Sequence, residues 1–122
     1  MHALILPLGD RLYAVPFKSV RQVLGEPPLT PLPLAPAPVL GLVNFGGEIS
    51  PVFDSALLLG LAPFKVPCVV MLETSVGVAG VTVSDIPIPA ELAAARSGFY
   101  AWQEESIPLF DVEQVLVSLW SK

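Results

Sequence analysis

Charged residues are scarce in this sequence of 122 residues, where they make up 14% of the chain. An average soluble protein has about a quarter. Acidic residues number 11 and basic residues 6, and the basic ones lie singly along the chain. Because no basic run is present to bind a phosphate backbone, we predict no nucleic-acid partner. Apolar residues reach 53%, which predicts exposed apolar surface and therefore protein partners.

Histidine and cysteine each occur once, as His2 and Cys68. One imidazole and one thiol cannot build a four-ligand metal cage, and a single cysteine excludes an intrachain disulfide. The apolar run around Cys68 predicts a buried core thiol, and His2 is predicted to lie at a frayed, solvated end. The sequence also lacks a nucleophile elbow and a P-loop, so we predict no catalytic residue, metal or cofactor.

The longest uncharged stretch, residues 27–47, is interrupted by prolines. Six prolines lie between Pro27 and Pro38, a segment that we call the proline belt. Since proline removes backbone donors and fixes φ, this stretch cannot cross a membrane as a helix. The belt is predicted to be extended and to cross between two β units. The first residues carry no basic segment and no cleavage site for a signal peptide, so we predict a cytoplasmic protein.

Short apolar runs separated by turn residues predict a mainly β protein with short helices. Hairpins are predicted over residues 3–17, 39–53, 66–83 and 98–110. Short helices are predicted after Asp54 and after Asp111, because an aspartate can cap a first turn. One or two helical turns are predicted over Ala90–Arg96. Residues 20–24 fit a short helix or a bent strand. The last helix is predicted to bury one face, formed by Val112, Val115, Leu116 and Leu119.

The hairpin-helix pattern occurs twice, at a displacement of 57 residues from Asp54 to Asp111. The two units span about residues 39–60 and 96–120, and we interpret them as an internal duplication. Two units of this size bury too little surface to be stable separately. We therefore predict one domain over residues 1–122, built from two small five-stranded β-barrels that share one hydrophobic core.

The repeated aspartates also fit an enzymatic hypothesis. Paired carboxylates from a duplicated fold can do acid/base work, which would make the chain a small bilobed aspartic hydrolase. Such enzymes follow the aspartate with Ser or Thr and then Gly, whereas Ser55 is followed by Ala56 and Val112 by Glu113. Helix capping explains Asp54 and Asp111 without any substrate. We therefore favour the capping interpretation.

The tip of the hairpin over residues 39–53 is the candidate binding site for a partner. Its glycines let another backbone approach closely, and loops of this kind often carry function. The candidate partner-binding residues are Val43, Asn44, Phe45, Gly46 and Gly47.

A second hypothesis is a self-associating β module that forms a homodimer through its apolar surface.

Residues 39–54 also carry a family resemblance. They match the strand, the Asn-x-Arg-Gly turn and the Pro-Val-x-Asp segment of the CheW-like family of chemotaxis coupling proteins. Residues 8–16 resemble the opening hairpin of that family, and residues 107–111 resemble its closing strand. Gly46 replaces the arginine of the turn, which removes a planar group with several donors and a fixed charge. Residues 76–81 also lack an acidic residue that is usual there.

The resemblance implies two five-stranded β-barrels packed on a common core and a scaffold role without catalysis. It implies a link between a chemoreceptor-type sensor and a CheA-type histidine kinase, in chemotaxis or twitching-motility signalling. The regulatory domain of the kinase would associate barrel to barrel. The helical tip of a chemoreceptor would dock in the groove between the subdomains through apolar anchors.

Overall fold

The computed structural model describes residues 1–120, with side chains up to Val117. The prediction of a mainly β fold is confirmed. The strands are β1 (His2–Leu8), β2 (Arg11–Pro16), β3 (Val20–Gly25), β4 (Val39–Phe45), β5 (Glu48–Phe53), β6 (Cys68–Thr74), β7 (Gly77–Val83), β8 (Ile88–Glu91), β9 (Ala93–Arg96), β10 (Phe99–Trp102) and β11 (Glu105–Pro108). The helices are α1 (Ser55–Leu59) and α2 (Val112–Trp120), and a single 3₁₀ turn spans Phe17–Ser19. Within residues 1–120, no helix is long and apolar enough to cross a membrane.

Strands β3 to β7 form one five-stranded sheet, which we call the central unit. The strand order is β3-β6-β7-β5-β4, so β3 and β4 are the two edges. All neighbours are antiparallel except β5 and β7. The middle strands β6 and β7 are rich in β-branched residues and almost fully buried, as expected of strands covered on both faces.

The remaining strands and α2 form the terminal unit, which contains both ends of the described chain. It has two three-stranded sheets, in the orders β2-β1-β8 and β11-β10-β9. Strands β8 and β9 are separated only by the buried residue Leu92, where the chain passes from one sheet to the other. Across the remaining gap, one isolated parallel bridge joins Ala14 of β2 to Leu109, the residue that follows β11.

The prediction of closed barrels is therefore wrong. In the terminal unit a single bridge replaces the continuous ladder that closure would need. In the central unit the edge strands β3 and β4 do not pair with each other, and Thr30 of the proline belt bridges to Leu42 on β4 instead. The belt itself starts at one edge of this sheet and ends at the other, so the prediction that it crosses between two units is also wrong.

The two faces of the central sheet pack against two different clusters of buried side chains. On β6, Val70 and Leu72 face a cluster that includes Leu6 of β1, while Val69 and Met71 face a cluster confined to the central unit. A third cluster lies inside the terminal unit around Ile5. Side chains alternate between faces along a strand, so one sheet with two covered faces cannot have a single core. The predicted shared core is present, and each unit adds a separate one.

Two local predictions also differ from the structure. Residues 90–96 are strands rather than helical turns, because β8 pairs with β1 and β9 pairs with β10. This pairing overrides the helix propensity of alanine. His2 is exposed, as predicted, but it is not frayed: it belongs to β1, its Nδ1 lies 3.0 Å from Oε1 of Glu91, and its ring packs against Phe17 in a tilted arrangement.

Other local predictions are confirmed. The first hairpin, the hairpin over residues 39–53 and the strand pair β6–β7 lie where the turn residues placed them. Residues 20–24 fit either a short helix or a bent strand, and the structure places them in a strand that follows the 3₁₀ turn. In α2, Val112 and Leu116 are buried in the shared cluster and Val115 packs against it. The side chain of Leu119 lies outside the described residues.

Candidate interaction site

The β4–β5 hairpin closes through a two-residue turn. Gly46 has φ 59° and Gly47 has φ 87°, so both residues occupy the left-handed region that hairpin turns of this length require. The side-chain Oδ1 of Asn44 accepts a hydrogen bond from the Gly47 N–H at 3.0 Å. The predicted tip residues thus form one hydrogen-bonded turn whose conformation is fixed before any partner binds.

The structure divides the candidate binding residues into two groups. Val43 is buried and Phe45 half-buried, and both pack on a cluster that contains Val52 and Met71. These two side chains hold the hairpin on its own sheet. The other three candidates, Asn44, Gly46 and Gly47, are exposed and free to meet another molecule.

The outward face of the hairpin includes an apolar residue that the sequence prediction missed. Ile49 pairs with Asn44 across the hairpin and is 65% exposed. Behind it, Leu42 and Pro51 form the next pair on the same face and are half-buried. The alternation along β5, where Ser50 is buried between exposed or half-buried neighbours, is the signal that could have identified this face.

The outer edge of β4 is only partly covered. Leu42 exchanges two backbone hydrogen bonds of 2.8 Å with Thr30 of the proline belt. Since backbone groups on a strand alternate between its two sides, those of Asn44 point to the same outer side as those of Leu42. A depression of about 470 Å³ lies beside this edge, between the belt and β4. It is lined by Leu24, Pro27, Pro28, Leu29, Thr30, Leu42, Val43 and Asn44.

The belt approaches β4 this closely because residue 41 is glycine. A Cβ at Gly41 would lie 2.8 Å from the backbone oxygen of Thr30 and 3.2 Å from the Cβ of Leu29. Any other residue there would push the belt away from the edge strand. Gly41 therefore shapes the depression beside the hairpin.

The two aspartates at the ends of the hairpins cap helices. Oδ1 of Asp54 accepts hydrogen bonds from the N–H groups of Ala56 at 3.0 Å and Leu57 at 3.3 Å. Oδ1 of Asp111 accepts one from Gln114 N–H at 3.1 Å. Asp54 lies in the central unit and Asp111 in the terminal unit, and each is engaged at its own helix. This arrangement favours capping over a catalytic pair.

A second depression, of about 190 Å³, lies at the seam between the units. Its apolar lining includes Leu72 and Phe110, and its acidic lining includes Glu73, Asp111 and Glu113. Glu73 forms an exposed ion pair of 2.6 Å with Arg21. Hydrogen bonds from the Ser75 hydroxyl and then from the Ser75 N–H lower the pKa of Glu113. The seam is therefore an apolar groove with an acidic rim.

Cys68 has the surroundings of a core thiol. Its side chain is buried, and burial followed by the nearby charge of Asp85 raises its pKa. Both effects disfavour the reactive thiolate. Within residues 1–120, no three His, Cys, Asp or Glu side chains are grouped closely enough to hold a metal ion.

The sequence and the fold were compared with known proteins. Residues 2–88 match the family model of the CheW-like domain. The probable chemotaxis protein CheW of Rhizobium etli is 39% identical over 56 residues, which are 46% of this chain and 36% of that protein. The chemotaxis protein CheW of Rhizobium meliloti is 41% identical over 54 residues, which are 44% of this chain and 35% of that protein. The alignments thus span about a third of the length of these relatives.

A solved structure shows the same fold. The scaffolding protein TtCheW from Thermoanaerobacter tengcongensis superposes with a TM-score of 0.79 at 17% sequence identity. The superposition covers 93% of this chain and 90% of that one, so it includes both units. The family model matches well over half of the sequence. The chain therefore belongs to the CheW-like domain family.

Proposed function

We propose that this chain is a non-enzymatic, cytoplasmic adaptor that couples a chemoreceptor-type sensor to a CheA-type histidine kinase. The signalling would serve chemotaxis or twitching motility. Family membership and the names of the relatives support this proposal. The observation that carries it is the exposed, uncharged outer face of the β4–β5 hairpin, on which Ile49 lies beside Asn44. An apolar surface of this kind on a charge-poor protein is suited to bind another protein.

The regulatory domain of the kinase is the proposed partner of this hairpin. The glycines at the turn allow a partner backbone to approach, and the outer edge at Asn44 offers backbone hydrogen-bonding groups. Val43 and Phe45 would act indirectly, because they pack inward and hold the hairpin in place. Gly46 and Gly47 would contact the partner directly.

The helical tip of a chemoreceptor is the proposed occupant of the seam between the two units. Leu72 and Phe110 give that groove an apolar lining, which suits the apolar anchors of an amphipathic helix. Glu73 and Glu113 at the rim would favour basic residues beside those anchors. The hairpin and the seam lie on different parts of the molecule, so one chain can bind both partners.

The test is a calorimetric titration of the full chain with the purified regulatory domain of the kinase from the same cell. Ile49→Asp places a charge in the proposed contact and is expected to weaken binding about tenfold or more. The matched control is Ile86→Asp, since Ile86 is 76% exposed in the loop between β7 and β8. The control is expected to change affinity less than about twofold. A wild-type chain that does not bind the domain would contradict the proposal.

Self-association through the same face is the competing hypothesis. A stable homodimer would cover the hairpin and exclude the kinase domain. Sedimentation velocity at increasing concentrations distinguishes the two. We expect a monomer that shifts to a heavier species only when the regulatory domain is added.

A further inference from the structure

One carboxylate on the rim of the groove at the seam is paired with a cation of the chain itself. Nη1 of Arg21 donates a hydrogen bond of 2.6 Å to Oε2 of Glu73. Glu73 lines the groove and Arg21 does not, so the arginine reaches the carboxylate from outside the groove. Both side chains are 51% exposed, so water screens the pair and its contribution to the stability of the fold is small.

A β-bulge on β3 directs Arg21 to this carboxylate. On the β3–β6 ladder, Val20 pairs with Leu72. The next pair is Gln22 with Met71, so Arg21 is an extra residue between the two pairs. A bulge of this kind changes the direction of a side chain and is often found next to a functional site. The backbone of the edge strand therefore orients the arginine toward the rim of the groove.

The other two carboxylates of the rim have neutral partners. Glu113 accepts hydrogen bonds from the N–H and the hydroxyl of Ser75. Asp111 accepts one from the N–H of Gln114. Neither carboxylate forms an ion pair with a residue of the described chain. Among the rim carboxylates, the chain therefore balances the charge of Glu73 with a cation of its own and leaves the other two charges unbalanced.

A basic side chain of a bound partner has to compete with Arg21 for Glu73. A partner that covers the groove removes water from this carboxylate, and a carboxylate without water needs a positive charge beside it. In the free chain Arg21 supplies that charge. An exposed ion pair is weak, so a basic side chain that neighbouring apolar anchors hold in the groove can displace the arginine.

We infer that Arg21 is a competitor within the chain, which occupies Glu73 until a basic residue of the helical tip of a chemoreceptor displaces it. Breaking the internal pair costs part of the free energy that the new pair provides. Arg21 thus limits the affinity that a basic residue adds, although it lies outside the groove. This inference rests on the proposed function and deepens it.

The experiment is a calorimetric titration of the full chain with the purified helical tip of a chemoreceptor from the same cell. Arg21→Gln leaves Glu73 free for the partner and is expected to tighten binding about two- to fivefold, the range of an exposed ion pair. The matched control is Lys18→Gln, which makes the same change of net charge. Lys18 is exposed in the 3₁₀ turn before β3 and forms no ion pair with a described residue. At about 0.15 M salt this variant is expected to bind within about 1.5-fold of wild type.

Two further measurements show whether Arg21 acts through Glu73. In a chain that already carries Glu73→Gln, the added Arg21→Gln is expected to leave the affinity unchanged, because the carboxylate is gone. At about 1 M salt, where charges interact over about 3 Å, the gain in Arg21→Gln is expected to shrink. The midpoint of urea denaturation is expected to stay near that of wild type in every variant, because the ion pair is exposed.

The outcomes separate this inference from the proposed function. A gain in Arg21→Gln that is absent in Lys18→Gln and absent in the Glu73→Gln background supports the competitor. Equal gains in Arg21→Gln and Lys18→Gln overturn it, because net charge alone then explains them. A gain that persists in the Glu73→Gln background also overturns it, and so does an unchanged or weakened affinity of Arg21→Gln. A wild-type chain that does not bind the tip overturns the proposed docking at the seam, and this inference with it.

Discussion

At the scale of single residues, Gly80 shows how tightly the middle of the central sheet is packed. A Cβ at Gly80 would lie 2.8 Å from Cγ1 of Val69, 2.9 Å from Sδ of Met71 and 3.1 Å from Cγ2 of Val52. Gly80→Ala therefore forces these side chains apart and is expected to lower the free energy of unfolding by about 1–3 kcal/mol. Urea denaturation followed by circular dichroism measures the loss.

Gly25 provides the matched control for that substitution. It lies at the end of edge strand β3, and a Cβ there would meet no atom within 4 Å. Gly25→Ala is expected to leave stability within about 1 kcal/mol of wild type, or to raise it slightly by restricting the unfolded chain. Equal losses in the two variants would show that the packing around residue 80 is not the cause.

Gly46 lies at the position where the Asn-x-Arg-Gly turn named in the sequence resemblance has an arginine. A side chain there would be strained, because φ is 59°, but it would meet no atom within 4 Å. In the other hairpin Gln103 holds the corresponding place with φ 46°, so a residue with a side chain can occupy it. Gly46→Arg is therefore expected to fold at a cost of about 1–2 kcal/mol and to restore a donor group at the hairpin tip.

The readout for Gly46→Arg is its affinity for the purified regulatory domain of the kinase, the proposed partner of the hairpin, measured beside Gly46→Val. The branched valine is expected to destabilise the hairpin and to add no affinity. A gain in the arginine variant would identify residue 46 as a contact with that domain. Unchanged affinity would show that the role of the family arginine does not transfer to this chain.

At the scale of secondary-structure elements, Glu113 ties α2 of the terminal unit to the β6–β7 turn of the central unit. Its Oε1 accepts from Ser75 N–H at 2.5 Å, and its Oε2 accepts from the Ser75 hydroxyl at 2.7 Å. These bonds lower the pKa of Glu113 below its ordinary value of 4.5. A carboxyl with a lowered folded-state pKa stabilises the fold above its unfolded pKa, and this contribution disappears as the pH falls through the folded pKa.

Glu113→Gln is accordingly expected to be less stable than wild type at pH 7. The difference between the two proteins is expected to shrink below about pH 4.5 and to vanish once the wild-type carboxyl is protonated. Urea denaturation at several pH values measures it. Ser75→Ala should reduce the same pH dependence, and the double variant should lose less than the sum of the two. Additive losses would show that the two residues do not act as a pair.

Elements whose determinants are local could be predicted from the sequence. The β4–β5 hairpin followed by α1 depends on the Gly46–Gly47 turn and the Asp54 cap, which lie within a few residues of each other. Strands β8 and β9 could not be predicted, because they form by pairing with β1 and β10, which are distant or separate elements. Alanine-rich residues 90–96 carry a local preference for helix that this distant pairing overrides.

Part of the candidate site could also be predicted from the sequence. The turn glycines and Asn44 follow from turn chemistry, and Ile49 follows from alternation along β5. The separation of Phe45 from the exposed residues could not be predicted, because it depends on which face of the sheet the core covers.

At the scale of the whole molecule, the shared cluster couples the two units. Leu6 and Leu8 of the terminal unit pack there with Leu72 of the central unit. Leu72 is 1% exposed, and Leu72→Ala is expected to cost about 2–5 kcal/mol. If either unit unfolded alone, the side chains that the other contributes to this cluster would be exposed to water. We therefore expect both units to unfold in a single transition.

Tryptophan fluorescence tests that coupling. Every tryptophan and tyrosine of the chain belongs to the terminal segments, so this signal reports on the terminal unit, whereas far-UV circular dichroism reports on both. In Leu72→Ala the fluorescence midpoint in urea is expected to shift as far as the circular-dichroism midpoint. A shift in circular dichroism alone would show that the units unfold independently.

The terminal unit is formed from strands at both ends of the chain, and the central unit lies between them in sequence. This order determines when each unit can fold during synthesis. On the ribosome the central sheet emerges as one continuous stretch, whereas β1 is made first and its partner β8 is made only after that sheet, with His2 and Glu91 separated by 89 positions. At about 5–20 residues per second, β1 waits roughly 4–18 s for that partner. During this interval the first hairpin exposes its apolar side chains, which makes it a natural target for chaperones during synthesis.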